Sequence, residues 1–187
     1  ATAEEICGGG KVQALLKILN QRKGKMSEPV LDPISGEVID PHQQKKTLVF
    51  SQFTQYLDVL ELTLQIHGFK YVRLDGSTQT DDRQVLVDSF TGKKKSTAAS
   101  SSSGSEDESP CVFLLSTKAG GVGLNLVAAD MVILMDLSYN PQDNRQAEDR
   151  IRRLGQVRAV KIIYLLCRNT LEDDILRINL RKMKLDA

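Results

Sequence analysis

The sequence predicts an α/β domain, a parallel sheet with helices on both faces, followed by a C-terminal brace helix. Three observations carry this. From Thr47 onward, short apolar strands alternate with amphipathic helices, the pattern of a parallel sheet built from crossover units. Val112-Phe113-Leu114-Leu115 and Val132-Ile133-Leu134-Met135 are apolar at every position, which suits strands buried on both sides. The segments after the first four strands are rich in hydroxyls, amides, glycines and carboxylates. An open parallel sheet binds its ligands beyond those strand ends.

In chain order, Val12, Leu15, Leu16 and Leu19 recur at helical spacing and predict a helix over 11–22. Residues 24–46 hold Pro29, Pro33 and Pro41 and read as a long loop. Val30-Leu31 and Val38-Ile39 flank a turn sequence, so a small hairpin is expected within it. Leu48-Val49-Phe50 is the first strand of the alternation. A helix marked by Tyr56, Leu57, Leu60 and Leu64 should stop at Gly68. Tyr71 to Leu74 is the second strand. Asp82 to Phe90 is a helix with Val85, Leu86 and Phe90 inward. Cys111 to Leu115 and Met131 to Met135 are the third and fourth strands, Pro141 to Leu154 a helix, and Val160 to Leu166 the fifth strand.

Residues 92–110 run from Lys93-Lys94-Lys95 through a Ser/Ala/Gly tract to Glu106-Asp107-Glu108. Such a stretch has no apolar surface to bury and is expected to be a disordered insertion. The last helix, 170–187, has Thr170 as its cap, Glu172, Asp173 and Asp174 in its first turn, and Arg181, Lys182 and Lys184 near its end. These charges match the helix dipole at both ends. Leu171, Ile175 and Ile178 are its expected inward stripe. The implied organisation is a lead-in helix and loop (1–46), the sheet domain (47–168) and the brace helix (169–187).

Composition narrows the classes. The 187 residues are 41% hydrophobic and 26% charged with net charge +1, so bulk charge argues for neither nucleic acid nor membrane. Local charge differs: Asn140 to Arg168 holds seven basic residues against three acidic ones. Cys7, Cys111 and Cys167 are far apart and match neither a disulfide framework nor a zinc site, and His42 and His67 match no ligand spacing. No residue set reads as a metal site. No apolar run is long enough to span a membrane and no signal peptide opens the chain. A reducing, soluble setting is expected. The chain opens without Met, so it is expected to be a fragment.

Gln146, Arg150 and Arg153 fall at i, i+4 and i+7 on one helical face, beside an apolar stripe of Ala147, Ile151 and Leu154. The face is either a solvated basic surface or a pair of fixed guanidinium forks for a polyphosphate, whose cleavage develops charge that such forks stabilise. Gly120, Gly121 and Gly123 either make a tight turn or bring backbone N–H groups near phosphate. They are not a phosphate loop of the G-x-x-x-x-G-K-S/T kind, because no Lys-Ser or Lys-Thr follows them.

These loops, in this order, resemble the second RecA-like lobe of the SWI/SNF family of DNA-dependent ATPases, within helicase superfamily two. Leu48 to Thr54 is similar to motif IV. Leu74-Asp75-Gly76-Ser77-Thr78 resembles the segment after it. Ser116 to Leu126 with Ala128-Ala129-Asp130 resembles motif V, and Gln146-Ala147-x-x-Arg150-x-x-Arg153-x-Gly155-Gln156 resembles motif VI. The likeness covers Thr47 to Ala187, broken by the insertion, and Gly10-Lys11 resembles the lead-in to the same lobe. Arg152 stands where many relatives carry His.

The resemblance implies a RecA-like helicase C-terminal lobe and assigns roles. Arg150 and Arg153 would be arginine fingers. Gly121, Gly123 and Gln146 would lie near nucleotide. Ser51, Gln52, Gly76, Ser77, Ser116, Thr117 and Lys118 would touch the DNA backbone. ATP and Mg2+ would be held mainly by the N-terminal RecA-like lobe of the same protein. The implied partners are double-stranded DNA and nucleosomes, and the implied location is the nucleus. An RNA helicase lobe and a non-catalytic docking module are the competing readings.

Overall fold

The computed structural model describes residues 8–23, 25, 30–31, 38–39, 45–92, 109–119, 126, 128–149 and 159–185, with backbone alone at 30–31, 38–39, 146–149 and 183–185. Its elements in chain order are α1 (Gly10–Arg22), β1 (Val30–Leu31), β2 (Val38–Ile39), β3 (Thr47–Ser51), α2 (Thr54–Ile66), β4 (Tyr71–Leu74), α3 (Thr80–Thr91), β5 (Val112–Ser116), β6 (Met131–Leu134), α4 (Pro141–Asp149), β7 (Lys161–Tyr164) and α5 (Leu171–Leu185). The expected hairpin is present, β1 pairing antiparallel with β2 through Val30 and Ile39.

The main sheet is parallel throughout, in the order β4-β5-β3-β6-β7. The chain therefore enters at the middle strand, winds to one edge, returns through β5 and crosses β3 to reach β6 and β7. Strand β3 is flanked by β5 on one side and β6 on the other, in register Thr47↔Val112 and Thr47↔Met131. The direction of winding reverses there, which is where open α/β sheets leave a crevice.

Side chains alternate between two cores. Leu48, Phe50, Val72, Leu74, Phe113, Leu115, Val132 and Leu134 meet Val87 and Phe90 of α3 with Ala119, Leu126 and Ala129. Val49, Val112, Leu114, Met131 and Ile133 face the other way, against Val12, Leu15, Leu16 and Leu19 of α1 and Leu57, Leu60 and Leu64 of α2. Period-two side chains with both faces covered explain why these strands read as unbroken apolar runs.

Helix α1 lies antiparallel to the strands and is tied at both ends. Near its start Lys11 Nζ donates to the Met135 carbonyl at 2.7 Å and pairs with Glu172. At its end Arg22 pairs with Asp130 and donates from Nε to Thr47 Oγ1 at 3.1 Å. Helices α2 and α3 end on glycines in the left-handed conformation, Gly68 at φ +65° and Gly92 at φ +80°. Thr170 begins α5, its Oγ1 accepting from Glu172 N at 3.3 Å.

Two expected helix faces are corrected. On α3, Val87 is buried and Val85 is 55% exposed. Phe90 sets this register: its ring packs on Phe113 at 5.1 Å between centroids, and its carbonyl accepts from the buried Lys46 ammonium. Positions i−3 and i−4 from Phe90 are Val87 and Leu86, whereas Val85 at i−5 turns outward. On α5, Leu171 and Ile178 are exposed, and the inward face is Ile175 with Asn179. Polar anchors cause the rotation of one position, about 100°. Glu172 is drawn in by Lys11 and by the Cys167 N–H at 2.7 Å, and Asn179 by the Ser138 carbonyl at 2.8 Å. Strands β6 and β7 are shorter than their apolar runs, ending at Leu134 and Tyr164. Residues 93–108, most of the expected insertion, lie outside the described residues.

Candidate functional site at the carboxyl edge of the sheet

At the carboxyl end of β3 the chain turns sharply at Ser51-Gln52-Phe53, and Asp136 at the end of β6 holds the turn. Ser51 Oγ donates to Asp136 Oδ2 at 2.5 Å, while Gln52 N and Gln52 Nε2 each donate to Asp136 Oδ1 at 3.0 Å. Phe53 N returns to Ser51 Oγ at 3.1 Å. Three donors on one carboxylate make charge-assisted bonds, the hydroxyl's the shortest. The neighbouring Tyr56 hydroxyl is pushed up to about 12, first by burial and then by the nearby side chains, chiefly the Asp136 carboxylate. It stays protonated at any physiological pH.

The turn after β4 is built the same way around a second carboxylate. Asp75 Oδ1 accepts from Ser77 N at 2.9 Å and Ser77 Oγ at 2.5 Å, and Thr78 Oγ1 accepts from Asp75 N at 3.1 Å. The Ser77 hydroxyl, acting against burial and helped by the Ser77 N–H and Arg73, holds the Asp75 carboxyl below the usual carboxylate range. Arg73 meets three carboxylates: Asp75 on its own strand end, and Asp58 and Glu61 on α2. Burial opposes its charge, but the hydrogen bonds to Asp58, Glu61 and Asp75 more than offset this and raise its pKa. Gly76 lies exposed at the tip, with open space where a Cβ would stand.

After β5, Thr117 N donates to the Ser51 carbonyl at 3.0 Å, joining this loop to the β3 turn. Ser116 Oγ accepts from Ala119 N at 3.2 Å, and Lys118 is exposed. After β6 the chain runs Ser138-Tyr139-Asn140 into α4. Ser138 Oγ donates to Asp143 at 2.8 Å and accepts from Asn140 N at 3.2 Å, and Asn140 Oδ1 accepts from Gln142 N at 3.2 Å. These bonds satisfy N–H groups at the helix start that have no partner within the helix.

The sheet thus brings Ser51, Gln52, Gly76, Ser77, Ser116, Thr117 and Lys118 to one edge. Gln52, Gly76, Ser77, Thr117 and Lys118 are wholly or partly exposed there, whereas Ser51 and Ser116 are buried with their hydroxyls engaged inside the loops. Gln146 lies on α4, of which the backbone is described. Gly121, Gly123, Arg150 and Arg153 lie outside the described residues. Reading single positions missed Asp136 and Asp75 as organisers. Their signal was present, since each is the first acidic residue after an apolar strand, but their partners are set by the fold.

Residues 30–155 match the family model described as the helicase conserved C-terminal domain. The ATP-dependent helicase FUN30 of Saccharomyces cerevisiae is 40% identical over 98% of this chain and 14% of that protein. Protein CHROMATIN REMODELING 19 of Arabidopsis thaliana is 47% identical over 76% of this chain and 17% of that protein. The SWI/SNF-related matrix-associated actin-dependent regulator of chromatin subfamily A containing DEAD/H box 1 of Homo sapiens is 42% identical over 82% of this chain and 14% of that protein. The chain therefore spans roughly a seventh of the length of these relatives. A crystal structure of the C-terminal part of the Fun30 ATPase domain superposes with a TM-score of 0.73 at 38% identity, covering 96% of this chain and 48% of that one. The parallel sheet is thus the RecA-like fold of that lobe.

Proposed function

Because the chain belongs to the helicase conserved C-terminal domain family, in its SWI/SNF-related branch, we propose that it is the second motor lobe of an ATP-dependent translocase that acts on double-stranded DNA in chromatin. One observation carries the reading: polar turns follow β3, β4, β5 and β6 at the carboxyl edge of the sheet, and those of β3, β5 and β6 are joined by hydrogen bonds at the switch point. Residues 47–168 are the lobe, 1–46 its lead-in and 169–187 its brace.

On this reading the edge has two zones. Gln52, Gly76, Ser77, Thr117 and Lys118 offer amides, hydroxyls, backbone N–H groups and one ammonium to phosphate oxygens. Such contacts position a duplex without reading its bases. Ser51 and Ser116 keep the turns in shape so that their backbone can approach. Gln146, Gly121 and Gly123 face nucleotide, and Arg150 and Arg153 approach the phosphate that is cleaved. Bound ATP supplies the phosphoryl transfer that drives the lobes. On this reading Mg2+ and most phosphate contacts belong to the N-terminal lobe, as the resemblance to the SWI/SNF family implies. The substrates are DNA and nucleosomes, and the location is the nucleus.

The test uses the full-length protein. Duplex DNA should stimulate ATP hydrolysis more than single-stranded RNA does; the reverse would favour an RNA helicase. Arg150→Ala and Arg153→Ala should each lower DNA-stimulated turnover by about 10³-fold or more, with nucleotide binding and thermal melting retained. Near-normal turnover in both would remove the finger assignment.

A further inference from the structure

The turn that Asp136 holds leaves an aromatic ring in the open. Phe53 is 62% exposed and stands immediately before α2, as its capping residue. Its backbone is fixed on both sides. Phe53 N donates to Ser51 Oγ at 3.1 Å, and its carbonyl accepts from Tyr56 N and Leu57 N, each at 3.1 Å. Ser51 Oγ in turn donates to Asp136 at 2.5 Å. The exposed ring therefore stands on a rigid base.

Stability does not account for a phenyl ring at this place. A single exposed apolar side chain on a helix flank, such as Leu62 or Val85, is ordinary. Phe53 instead holds the capping position of α2, and its side chain makes no capping bond. Asn, Asp or Ser there would accept from the N–H groups of the first turn and stabilise it. A phenyl ring forgoes this and adds exposed apolar surface. Its surroundings are those of the rim. Gln52 on one side is partly exposed, and Thr54 and Gln55 on the other are exposed and uncharged. Thr117 of the neighbouring turn donates from its N–H to the Ser51 carbonyl at 3.0 Å. What a ring adds to such a rim is apolar contact, and the apolar surface between successive phosphates of a strand is deoxyribose. Neighbouring Cα atoms are about 3.8 Å apart, and nucleotides rise about 3.4 Å each along a strand. With Gln52 at a phosphate, the Phe53 ring is within reach of the adjoining sugar.

We propose that Phe53 is a further duplex contact: its ring packs on deoxyribose at the edge of the minor groove, beside the phosphate contacts of Gln52, Thr117 and Lys118. The inference rests on the motor reading above. Every nucleotide carries the same sugar, so the contact is indifferent to sequence, as movement along DNA requires. It is apolar and releases no counterion, so it adds affinity that salt does not screen. The rim then holds the duplex by two kinds of force, one that weakens as salt rises and one that does not.

The experiment is a salt titration on the full-length protein, read by fluorescence anisotropy of a labelled duplex. Phe53→Asn removes the ring and supplies a cap, so it should melt no lower than wild type. Its duplex affinity should fall about tenfold at every salt concentration, with the slope of log affinity against log salt as in wild type. Phe53→Leu keeps an apolar contact and should retain most of the affinity. Lys118→Ala should instead flatten the slope by about one. Wild-type affinity in Phe53→Asn beside a flattened slope in Lys118→Ala would overturn the Phe53 contact and keep the rim. So would a flattened slope in Phe53→Asn, or a loss of DNA-free ATP hydrolysis with duplex affinity intact, which would seat the ring against the N-terminal lobe. Unchanged affinity and slope in both Phe53→Asn and Lys118→Ala would remove duplex DNA from this edge altogether, and the ring contact with it.

Discussion

The two edges of the sheet use charge in opposite ways. At the amino edge, cations are satisfied by the fold. Arg22 pairs with Asp130 and reaches Thr47, and Lys46 is buried, bonding to the Phe90 carbonyl with its ammonium 5.1 Å from the Phe90 ring centre. At the carboxyl edge, carboxylates organise short turns whose outer atoms stay available. Asp136 holds Ser51 and Gln52, and Asp75 holds Ser77. The amino edge closes a structure; the carboxyl edge presents one. Substitutions at the first should change stability alone, and at the second should change what the motor does per folded molecule.

Among the substitutions that test this contrast between the edges, the largest effect is expected at Asp136. Asp136→Ala leaves the Ser51 hydroxyl and two Gln52 donors without their acceptor, one of them on a fully buried residue. Stability should fall by about 3 kcal/mol, read by urea melting. Turnover per folded molecule should fall as well, by roughly tenfold, the equivalent of about 1.4 kcal/mol in the DNA-bound transition state. The substitution removes a negative charge from a rim proposed to meet phosphate, so electrostatics alone would tighten DNA binding. Slower turnover in spite of that gain would show that the order of the turn matters. Unchanged DNA-stimulated turnover in the folded variant would break the contrast between the edges.

A smaller and cleaner effect is expected at Gly76. A Cβ there meets nothing within 4 Å, so Gly76→Ala should leave the melting temperature of the DNA-free protein unchanged. If phosphate packs against this backbone, the methyl stands in its way, and duplex affinity should drop several-fold, about 1 kcal/mol. Fluorescence anisotropy against a labelled duplex measures it. An affinity equal to wild type would take Gly76 out of the interface.

Much of this architecture was legible in the sequence, because strands buried on both faces and helices punctuated by Gly68 and Thr170 leave local signals. The five strands of the main sheet lie where their apolar runs predict, and the hairpin at Val30 and Val38 is present. Helix orientation was less legible. Periodicity chose Val85 over Val87 and Ile178 over Asn179, because it weighs hydrophobicity and is blind to an anchor such as the Phe90 carbonyl or the Ser138 carbonyl. In the site, the loops could be placed by topology from residue types alone. The pairing of Asp136 with Ser51 and Gln52 could not, since it joins positions 84 or 85 residues apart. Burial of the Ser51 and Ser116 hydroxyls was equally hidden, since a serine after a strand reads the same facing in or out.

The smallest effect belongs to the amino edge and is read by pH. Lys46 has its pKa lowered to about 8, chiefly by burial, with Cys111 opposing; the Cys111 thiol is itself pushed up by burial. In the unfolded chain Lys46 returns to its ordinary value near 10.5. Between these values the unfolded state holds a proton that the native state has released, so unfolding takes up protons and native stability rises with pH. Below about pH 8 both states are protonated and this group adds no slope. Lys46→Met removes the titration together with the bond to the Phe90 carbonyl. Stability of wild type relative to Lys46→Met should therefore increase as pH rises from 7 to 9.5, while turnover at pH 7 per folded molecule stays the same in both. Comparing the two proteins at each pH cancels the other lysines and tyrosines. Parallel stability profiles would show that Lys46 does not lose its proton in this range, and altered turnover would show that the amino edge is not confined to holding the fold.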